Sequence, residues 1–241
     1  MPAKKPTIWL NNNSRQLFNI KPFCLGIPNN IDITAYKRLV NNPSIAEKYK
    51  ELLELIKENL GIAADLYLHN RPFPDHLIPY FMYPIYDSYK NVTASPLFAV
   101  HGGYFIATQE LIDILEQFTL GSNQICRINL YNTYNKKEAS NYYFINICEH
   151  YEYCLKVYGD SSIIDAPYTT NNHKVYYAPH RKDDIKNYLF SQISLDCPVD
   201  IWHDPWIKGS IFISESLQKS ISKAGLRKKI SLFPCNLQFD Y

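Results

Sequence analysis

The sequence predicts an α+β fold: a mixed sheet with two related strand–cap–helix units in the C-terminal two thirds, and a helical N-terminal part. The first observation is an amphipathic pattern before residue 61, in which apolar residues recur at helical spacing. The second is a strand-to-helix pattern that occurs twice, at residues 105–111 and 211–217. The third is a pair of apolar or alternating runs between these two units, which is typical of strands.

The first helix is predicted to begin at Asn42-Pro43, because asparagine is a favoured cap and proline fits the first helical position. Glycine commonly follows the last residue of a helix, so Gly61 is expected to end this one. A shorter helix is expected over residues 34–40. The apolar face of the first helix consists of Ile45, Tyr49, Leu52, Leu53, Ile56 and Leu60.

A proline-rich and aromatic segment at residues 71–96 follows this helix. Proline lacks a backbone donor and disfavours helix at the residue before it, which predicts a loop or edge structure here. The segment is also the predicted boundary between an N-terminal part, residues 1–95, and an α+β domain, residues 96–241. Its apolar side chains need burial, so the two parts could also form one continuous globular unit.

Each of the two strand-to-helix units has an apolar strand that ends in a hydroxyl residue able to cap the next helix. The first strand ends at Thr108 and the second at Ser214, and a leucine follows three residues later in both. Two further strands are predicted between the units, at residues 125–130 and 142–147.

Composition excludes several classes of protein. The 241 residues carry a formal net charge of only +2, which speaks against a dedicated nucleic-acid binder. An apolar fraction of 46% excludes a disordered chain. The content of 20 tyrosines is unusually high for this length; these residues belong either to an aromatic binding surface or to the core. Because they concentrate at residues 80–89 and 131–177, outside the helical stripes, a substantial share is expected to be partly exposed.

Membrane, metal and cofactor signals are weak. No run of residues approaches the roughly 20 apolar positions of a membrane span, and no secretory apolar run follows the first lysines, so we expect a cytoplasmic protein. None of the six cysteines forms a C-x-x-C pair, which favours free thiols. Without zinc-ligand spacing or a glycine-rich phosphate loop, neither a metal nor another cofactor is expected.

One set of residues has the composition of a catalytic triad. Ser161 would be the nucleophile, His203 the general base and Asp200 its orienting carboxylate. The surrounding G-D-S and D-x-x-H motifs resemble the short signatures of GDSL-type hydrolases. They lie only about 40 residues apart, too close to enclose the βαβ units of that fold. A serine hydrolase is therefore the alternative function, not the first.

The densest cluster of unusual residue types is the segment 200–206. Trp202, His203, Asp204 and Trp206 are candidate partner-binding residues, since tryptophans beside polar groups make rigid anchors at interfaces. Burial of both tryptophans in the core, with the polar residues ordering the loop, is the preferred interpretation.

A basic run lies near the C-terminus, on and after the last helix. It fits a solvated helix face that complements the helix dipole. A nucleic-acid module built on this run is a third hypothesis, and it predicts binding that weakens steeply with salt. The run consists of Lys219, Lys223, Arg227, Lys228 and Lys229.

Three blocks of sequence occur in a fixed order after Leu97. The first is Phe105-Ile106-Ala107-Thr108 with its helix, and the second is the aromatic strand at residues 142–147. The third is Asp200-Ile201-Trp202, then Ile211-Phe212-Ile213-Ser214-Glu215 and a helix ending in Lys223-Ala224-Gly225-Leu226. This arrangement resembles an immunity-protein domain family of bacterial polymorphic toxin systems, whose members commonly sit beside type VI, Rhs or contact-dependent toxin genes. Arg227-Lys228-Lys229-Ile230 departs from the glycine and aromatic residue with which the family usually continues.

The resemblance covers about 60% of the chain. It implies a cytoplasmic, non-catalytic protein that binds and neutralises a toxin of its own or a sister cell, with no catalytic residues to transfer. The predicted partner is thus a cognate toxin or effector domain. Neither nucleic acid nor a membrane is expected as a partner, and self-association is left open.

Overall fold

A computed structural model describes residues 6–12, 17–18, 20–21, 50–84, 95–100, 104–130, 141–158, 163–164, 175–177, 182–208 and 210–239. Several sheets and few helices alternate along the chain, which confirms the α+β class. The helices are α1 (Lys50–Leu68), α2 (Gln109–Leu115) and α3 (Glu215–Lys223). Short 3-10 helices cover Asp75–Leu77, Lys182–Asn187, Gln192–Asp196 and Leu226–Lys228.

The strands are short, mostly of two to five residues. In chain order they are β1 (Trp9–Asn12), β2 (Leu17–Phe18), β3 (Ile20–Lys21), β4 (Phe81–Pro84), β5 (Leu97–Val100), β6 (Phe105–Thr108), β7 (Gln124–Leu130), β8 (Tyr142–Asn146), β9 (Cys154–Val157), β10 (Ile163–Ile164), β11 (Val175–Tyr177), β12 (Tyr188–Ser191), β13 (Ile201–Trp202), β14 (Ile207–Lys208), β15 (Ser210–Ile213), β16 (Leu232–Pro234) and β17 (Asn236–Gln238). Strands β7 and β8 confirm the two that the sequence predicts between the strand–cap–helix units.

Four sheets are described. A seven-stranded mixed sheet has the order β2-β5-β6-β8-β7-β4-β3, with an antiparallel middle and parallel pairs β2–β5 and β4–β7. An antiparallel sheet has the order β13-β15-β1-β16. Two three-stranded sheets have the orders β17-β12-β9 and β10-β11-β14. Strands β1, β2 and β4 precede the predicted boundary at residue 95 and pair with strands that follow it, so residues on both sides of the boundary share sheets.

Strands β6 and β15 are buried on both sides, which explains why both read as continuous apolar runs. In β6, Phe105 and Ala107 face the layer that contains α2 and α3, whereas Ile106 faces the layer that contains α1. In β15, Ile213 faces the layer of α2 and α3, whereas Phe212 faces a third layer with β12. The fold therefore has three apolar layers separated by the two larger sheets.

The two related units meet in the middle layer. Both helices follow their strand directly, with Thr108 and Ser214 at the cap positions. The Ser214 hydroxyl accepts the backbone N–H of Leu217 at 3.1 Å, whereas the Thr108 side chain makes no capping hydrogen bond. The buried apolar residues that α2 and α3 contribute to one cluster are Leu111, Ile112, Leu115, Leu217 and Ile221.

The structure corrects two predictions in the N-terminal part. Helix α1 does not end at Gly61 but continues to Leu68. Glycine inside a helix costs only about 1 kcal/mol, so a single glycine does not stop a helix whose neighbours favour it. The loop or edge interpretation of residues 71–96 is wrong for β4, which lies inside the seven-stranded sheet between β7 and β3. The predicted start at Asn42-Pro43 and the helix at 34–40 lie outside the described residues.

Within the described ranges, α1, α2 and α3 all fall short of the length and apolar character that crossing a membrane requires.

Candidate partner-binding surface

The four candidate residues of segment 200–206 divide into interior and partly accessible positions. Trp202 is 0% exposed, and its ring stacks on Phe212 with 6.1 Å between ring centroids. Asp204 is 2% exposed. His203 and Trp206 are half-buried. Trp202 and Asp204 therefore offer no surface to a partner, and a direct partner contact stays a prediction for His203 and Trp206.

Asp204 is a buried carboxylate that holds the beginning of β9. One oxygen, Oδ2, accepts the backbone N–H groups of Tyr153 at 2.9 Å and Cys154 at 2.7 Å. The other, Oδ1, accepts the N–H of Trp206 at 2.9 Å. Burial raises the pKa of Asp204 to about 6, although the three hydrogen bonds act in the opposite direction. The carboxylate thus ties its own loop to a strand that lies about 50 residues earlier in the chain.

His203 joins the same segment through its backbone. Its N–H donates to the carbonyl of Glu149 at 2.9 Å, and its carbonyl accepts the N–H of Tyr151 at 2.9 Å. Its ring nitrogen Nδ1 lies 2.6 Å from the carbonyl oxygen of Ser210, so Nδ1 must carry the proton. Burial lowers the pKa of His203 to about 4, and nearby His150 adds to the shift. The imidazole is therefore neutral at physiological pH.

Stability is expected to fall as the pH is lowered from about 6.5 towards 4, because unfolded His203 has the higher pKa and binds a proton first. The variant His203→Asn, which keeps a donor for the Ser210 carbonyl, should lose less stability over this range. Asp204 shifts in the opposite direction, so the measurement is the difference in melting temperature between variant and wild type at each pH. His76→Asn, at an exposed histidine that does not act on His203, is the control. Parallel curves for wild type and His203→Asn would contradict this origin of acid sensitivity.

Asp200 connects the loop after α2 to the start of α3. Its Oδ2 accepts the N–H of Thr119 at 3.0 Å, and its backbone N–H donates to the Thr119 carbonyl at 2.8 Å. Its Oδ1 accepts the hydroxyl of the cap residue Ser214 and that of Ser216, the latter at 3.2 Å. Asp200 is thus part of a capping arrangement.

The triad geometry is not formed between the two described members. Asp200 and His203 are not hydrogen-bonded to each other, because the Nδ1 proton of His203 goes to a backbone carbonyl. Ser161 lies outside the described residues. The hydrolase hypothesis stays a prediction, and labelling of Ser161 by a fluorophosphonate probe is its test.

The thiols of the described residues are free, as predicted for the whole set: Cys126, Cys148, Cys154, Cys197 and Cys235. Burial raises the pKa of Cys148 to about 11 and that of Cys154 to about 12, which keeps both protonated at neutral pH. Cys24 lies outside the described residues. In the described part of the chain, His, Cys, Asp and Glu side chains form no group of three that could share a metal ion.

A tight turn at Gly121 supports the segment that His203 and Asp204 hold. Gly121 has a φ of 62°, and a Cβ there would lie 2.3 Å from Oε1 of Glu149 and 2.8 Å from Cγ1 of Val199. The Glu149 carboxylate accepts the N–H of Ser122 at 2.7 Å and the hydroxyl of Tyr151 at 3.0 Å. Burial acts to raise the pKa of Glu149, but these hydrogen bonds outweigh it and lower the pKa.

Gly121→Ala is expected to lower the free energy of unfolding by about 2 kcal/mol. The cost of a left-handed backbone at alanine and the cost of two close contacts of its Cβ add to each other. Urea unfolding measures the loss. The matched control is Gly61→Ala, which has nothing within 4 Å of its added Cβ and lies in a helix, so it should stabilise by about 1 kcal/mol. Equal stability of Gly121→Ala and wild type would contradict the tight turn.

Aromatic rings extend along this segment towards β9. Tyr151 and Tyr153 stack with 5.8 Å between centroids and 8° between planes. Tyr153 also meets Trp202 edge to face at 6.1 Å. The prediction of partly exposed tyrosines holds where side chains are described in residues 80–89 and 131–177. Tyr80, Tyr143, Tyr151 and Tyr153 are half-buried and Tyr158 is exposed, whereas Tyr142 is buried.

The outer side of β9 carries a cluster of exposed apolar and cationic side chains. Val157 and Cys154 oppose the buried Tyr188 and Phe190 of β12 and pack against the same core layer. Exposure of the other residues is high, with Leu155 at 53% and Tyr158 at 46%. We call the three exposed residues Leu155, Lys156 and Tyr158, together with the half-buried Leu189 opposite Lys156, the β9 face.

Sequence reasoning did not single out the β9 face. The strand is four residues long and lies in the mixed stretch E-Y-C-L-K-V-Y, where charged and apolar residues give no clear period. A signal was present in the two-residue spacing of Tyr151, Tyr153 and Leu155. This alternation does not continue after Leu155, because the register of β9 with β12 shifts there, between Leu189 and Phe190, and the residues that follow point to the other side.

No protein-family model matches this chain, and no curated protein matches it. The β9 face and the loop that supports it are thus the features from which a function can be inferred.

Proposed function

We propose that this protein is a cytoplasmic immunity protein, which binds a cognate bacterial toxin or effector domain and neutralises it without catalysis. The observation that supports this most is the β9 face, where Leu155 and Lys156 on the strand and Tyr158 directly after it are exposed. A few residues near the centre of a surface patch, most often tryptophan, tyrosine and arginine, supply most of the binding energy in protein interfaces.

The β9 face is preorganised for binding. Asp204 fixes the beginning of the strand through two backbone N–H groups, and the Tyr153 ring contacts the buried Trp202 edge to face. A rigid surface loses little conformational entropy on association, so more of its contact energy appears as affinity. Tight binding of this kind would block the active site of the toxin or hold the toxin in an inactive state.

The charges of the described surface support a protein partner over a nucleic acid. The five basic residues predicted to lie on and after α3 are exposed. Helix α2 packs beside α3, and the helix and its C-cap residue expose three carboxylates, those of Glu110, Asp113 and Glu116. A phosphate backbone would be attracted by one helix and repelled by its neighbour. The mixed surface therefore favours recognition by shape and aromatic contact.

Co-expression with the toxin domain encoded by the adjacent gene tests the proposal. We expect the protein to protect the cells and to co-purify with the toxin domain. The double variant Leu155→Asp/Tyr158→Asp should lose protection while keeping its melting temperature, since both side chains are exposed. Leu55→Asp/Ile62→Asp is the matched control, because these exposed residues lie on α1. A wild-type chain that neither protects nor co-purifies would refute the proposal.

A further inference from the structure

We propose that the partner docks by adding a strand to the outer edge of β9, and that this strand places a carboxylate next to Lys156. This inference rests on the proposed function, because it specifies how the partner engages the β9 face. Edge strands offer backbone donors and acceptors for pairing with another chain, and neighbouring side chains decide which chain fits.

Among the described residues, β9 is an outer strand, and β12 is its only neighbour in the order β17-β12-β9. The N–H of Tyr158 donates to the Asn187 carbonyl at 2.7 Å, so the backbone groups of Tyr158 face β12. Strand alternation turns those of Val157 towards the outer edge. At the other end, the N–H of Cys154 donates to Asp204, which confines the open edge among the described residues to 155–157.

The side chains around this edge define the chemistry of the added strand. Leu155 and Tyr158 are about half exposed and flank a single cation. The ammonium of Lys156 lies 4.7 Å from the centroid of the Tyr158 ring, and no carboxylate of the described residues pairs with it. A complementary strand therefore carries apolar side chains for Leu155 and Tyr158 and an acidic residue for Lys156.

The same features disfavour a second copy of this chain as the occupant. Two copies paired antiparallel about the middle of residues 155–157 would bring the two Lys156 ammonium groups opposite each other, and like charges in that position are destabilising. The bulge at Leu155 also twists the edge away from regular pairing with an identical strand. A lysine and a bulge are the devices by which edge strands avoid self-association. The occupant is thus a strand of a different, acidic sequence.

Hydrogen exchange in the complex tests strand addition directly. The probe is the toxin domain encoded by the adjacent gene, catalytically inactivated and added to the full chain. We expect the Val157 amide to exchange more slowly in the complex than in the free protein, while amides of α1 do not change. Lys156→Glu should weaken binding by at least about tenfold, because the new carboxylate would lie next to the carboxylate of the added strand and repel it. Lys186→Glu, at an exposed lysine outside β9, is the matched control.

The outcomes separate this inference from the proposed function. If no complex forms with the wild-type chain, the proposed function fails, and strand addition fails with it. If a complex forms but Val157 exchange and the affinity of Lys156→Glu are unchanged, strand addition is overturned while the function stands. Slower Val157 exchange in the free protein at rising concentration would identify a second copy as the occupant and would also overturn it.

Discussion

Trp202→Ala is expected to lower the free energy of unfolding by about 4 kcal/mol, the largest effect of any single substitution considered. The Trp202 ring is fully buried, stacks on Phe212 and meets the edge of Tyr153. Alanine would leave a cavity between the sheet of β13 and β15 and the layer that contains β12, where surrounding strands cannot collapse inwards. Urea or thermal unfolding followed by circular dichroism measures the loss.

Two further variants separate cavity formation from loss of the indole N–H. Trp202→Phe keeps a ring and removes an Nε1–H that has no acceptor among the described residues, so it should cost only about 1 kcal/mol. Trp206→Ala removes a half-buried ring and should cost less than Trp202→Ala. If Trp202→Ala unfolds at the same urea concentration as Trp206→Ala, the interior placement of Trp202 is contradicted.

Asp204→Ala is expected to cost about 3 kcal/mol, because three backbone N–H groups lose a buried acceptor at once. The amides of Tyr153 and Cys154 should then exchange with solvent much faster, which hydrogen exchange can resolve. Asp204→Asn should cost less, since its carbonyl oxygen can still accept from both. Urea unfolding of the three proteins measures the order of stability.

The control for Asp204 is Asp196→Ala, which removes an exposed carboxylate at the end of a nearby 3-10 helix. Exposed carboxylates contribute little, so its stability should match wild type within about 0.5 kcal/mol. An Asp204→Ala protein as stable as this control, with unchanged exchange at Tyr153 and Cys154, would show that the carboxylate does not anchor β9.

Local sequence patterns predicted the strands and helices whose signal is contained in a few neighbouring residues. β6 and β15 were predicted with the helices that follow, because an apolar run, a hydroxyl residue and a leucine three positions later form a complete local signal. β7 and β8 were predicted for the same reason. The preferred core placement of Trp202 also agrees with its burial, since large aromatic residues beside a strand are most often interior.

Pairing between distant segments was beyond such patterns. Strand β4 is interior because it pairs with β7 on one side and with β3 on the other, although the prolines of its segment are typical of a loop. Helix α1 continues past Gly61 because the cost of a single glycine is smaller than the contribution of the helix-favouring residues around it. The sequence likewise placed Asp200 and His203 together in one motif, whereas their hydrogen bonds lead to separate backbone and hydroxyl partners.

The sequence by itself determined the α+β class, the two strand–cap–helix units and an excess of tyrosine outside the helical faces. Only the tertiary structure decided that Asp204 supports a surface while Leu155 and Tyr158 form it. The physical reason is that burial and exposure depend on contacts between distant segments. Asp204 is buried because it binds the N–H of Tyr153, which lies 51 residues earlier. Leu155 is exposed because the core layer packs against one side of the sheet of β12 and β9, through residues such as Val157 and Phe190, while the β9 face lies on the other side.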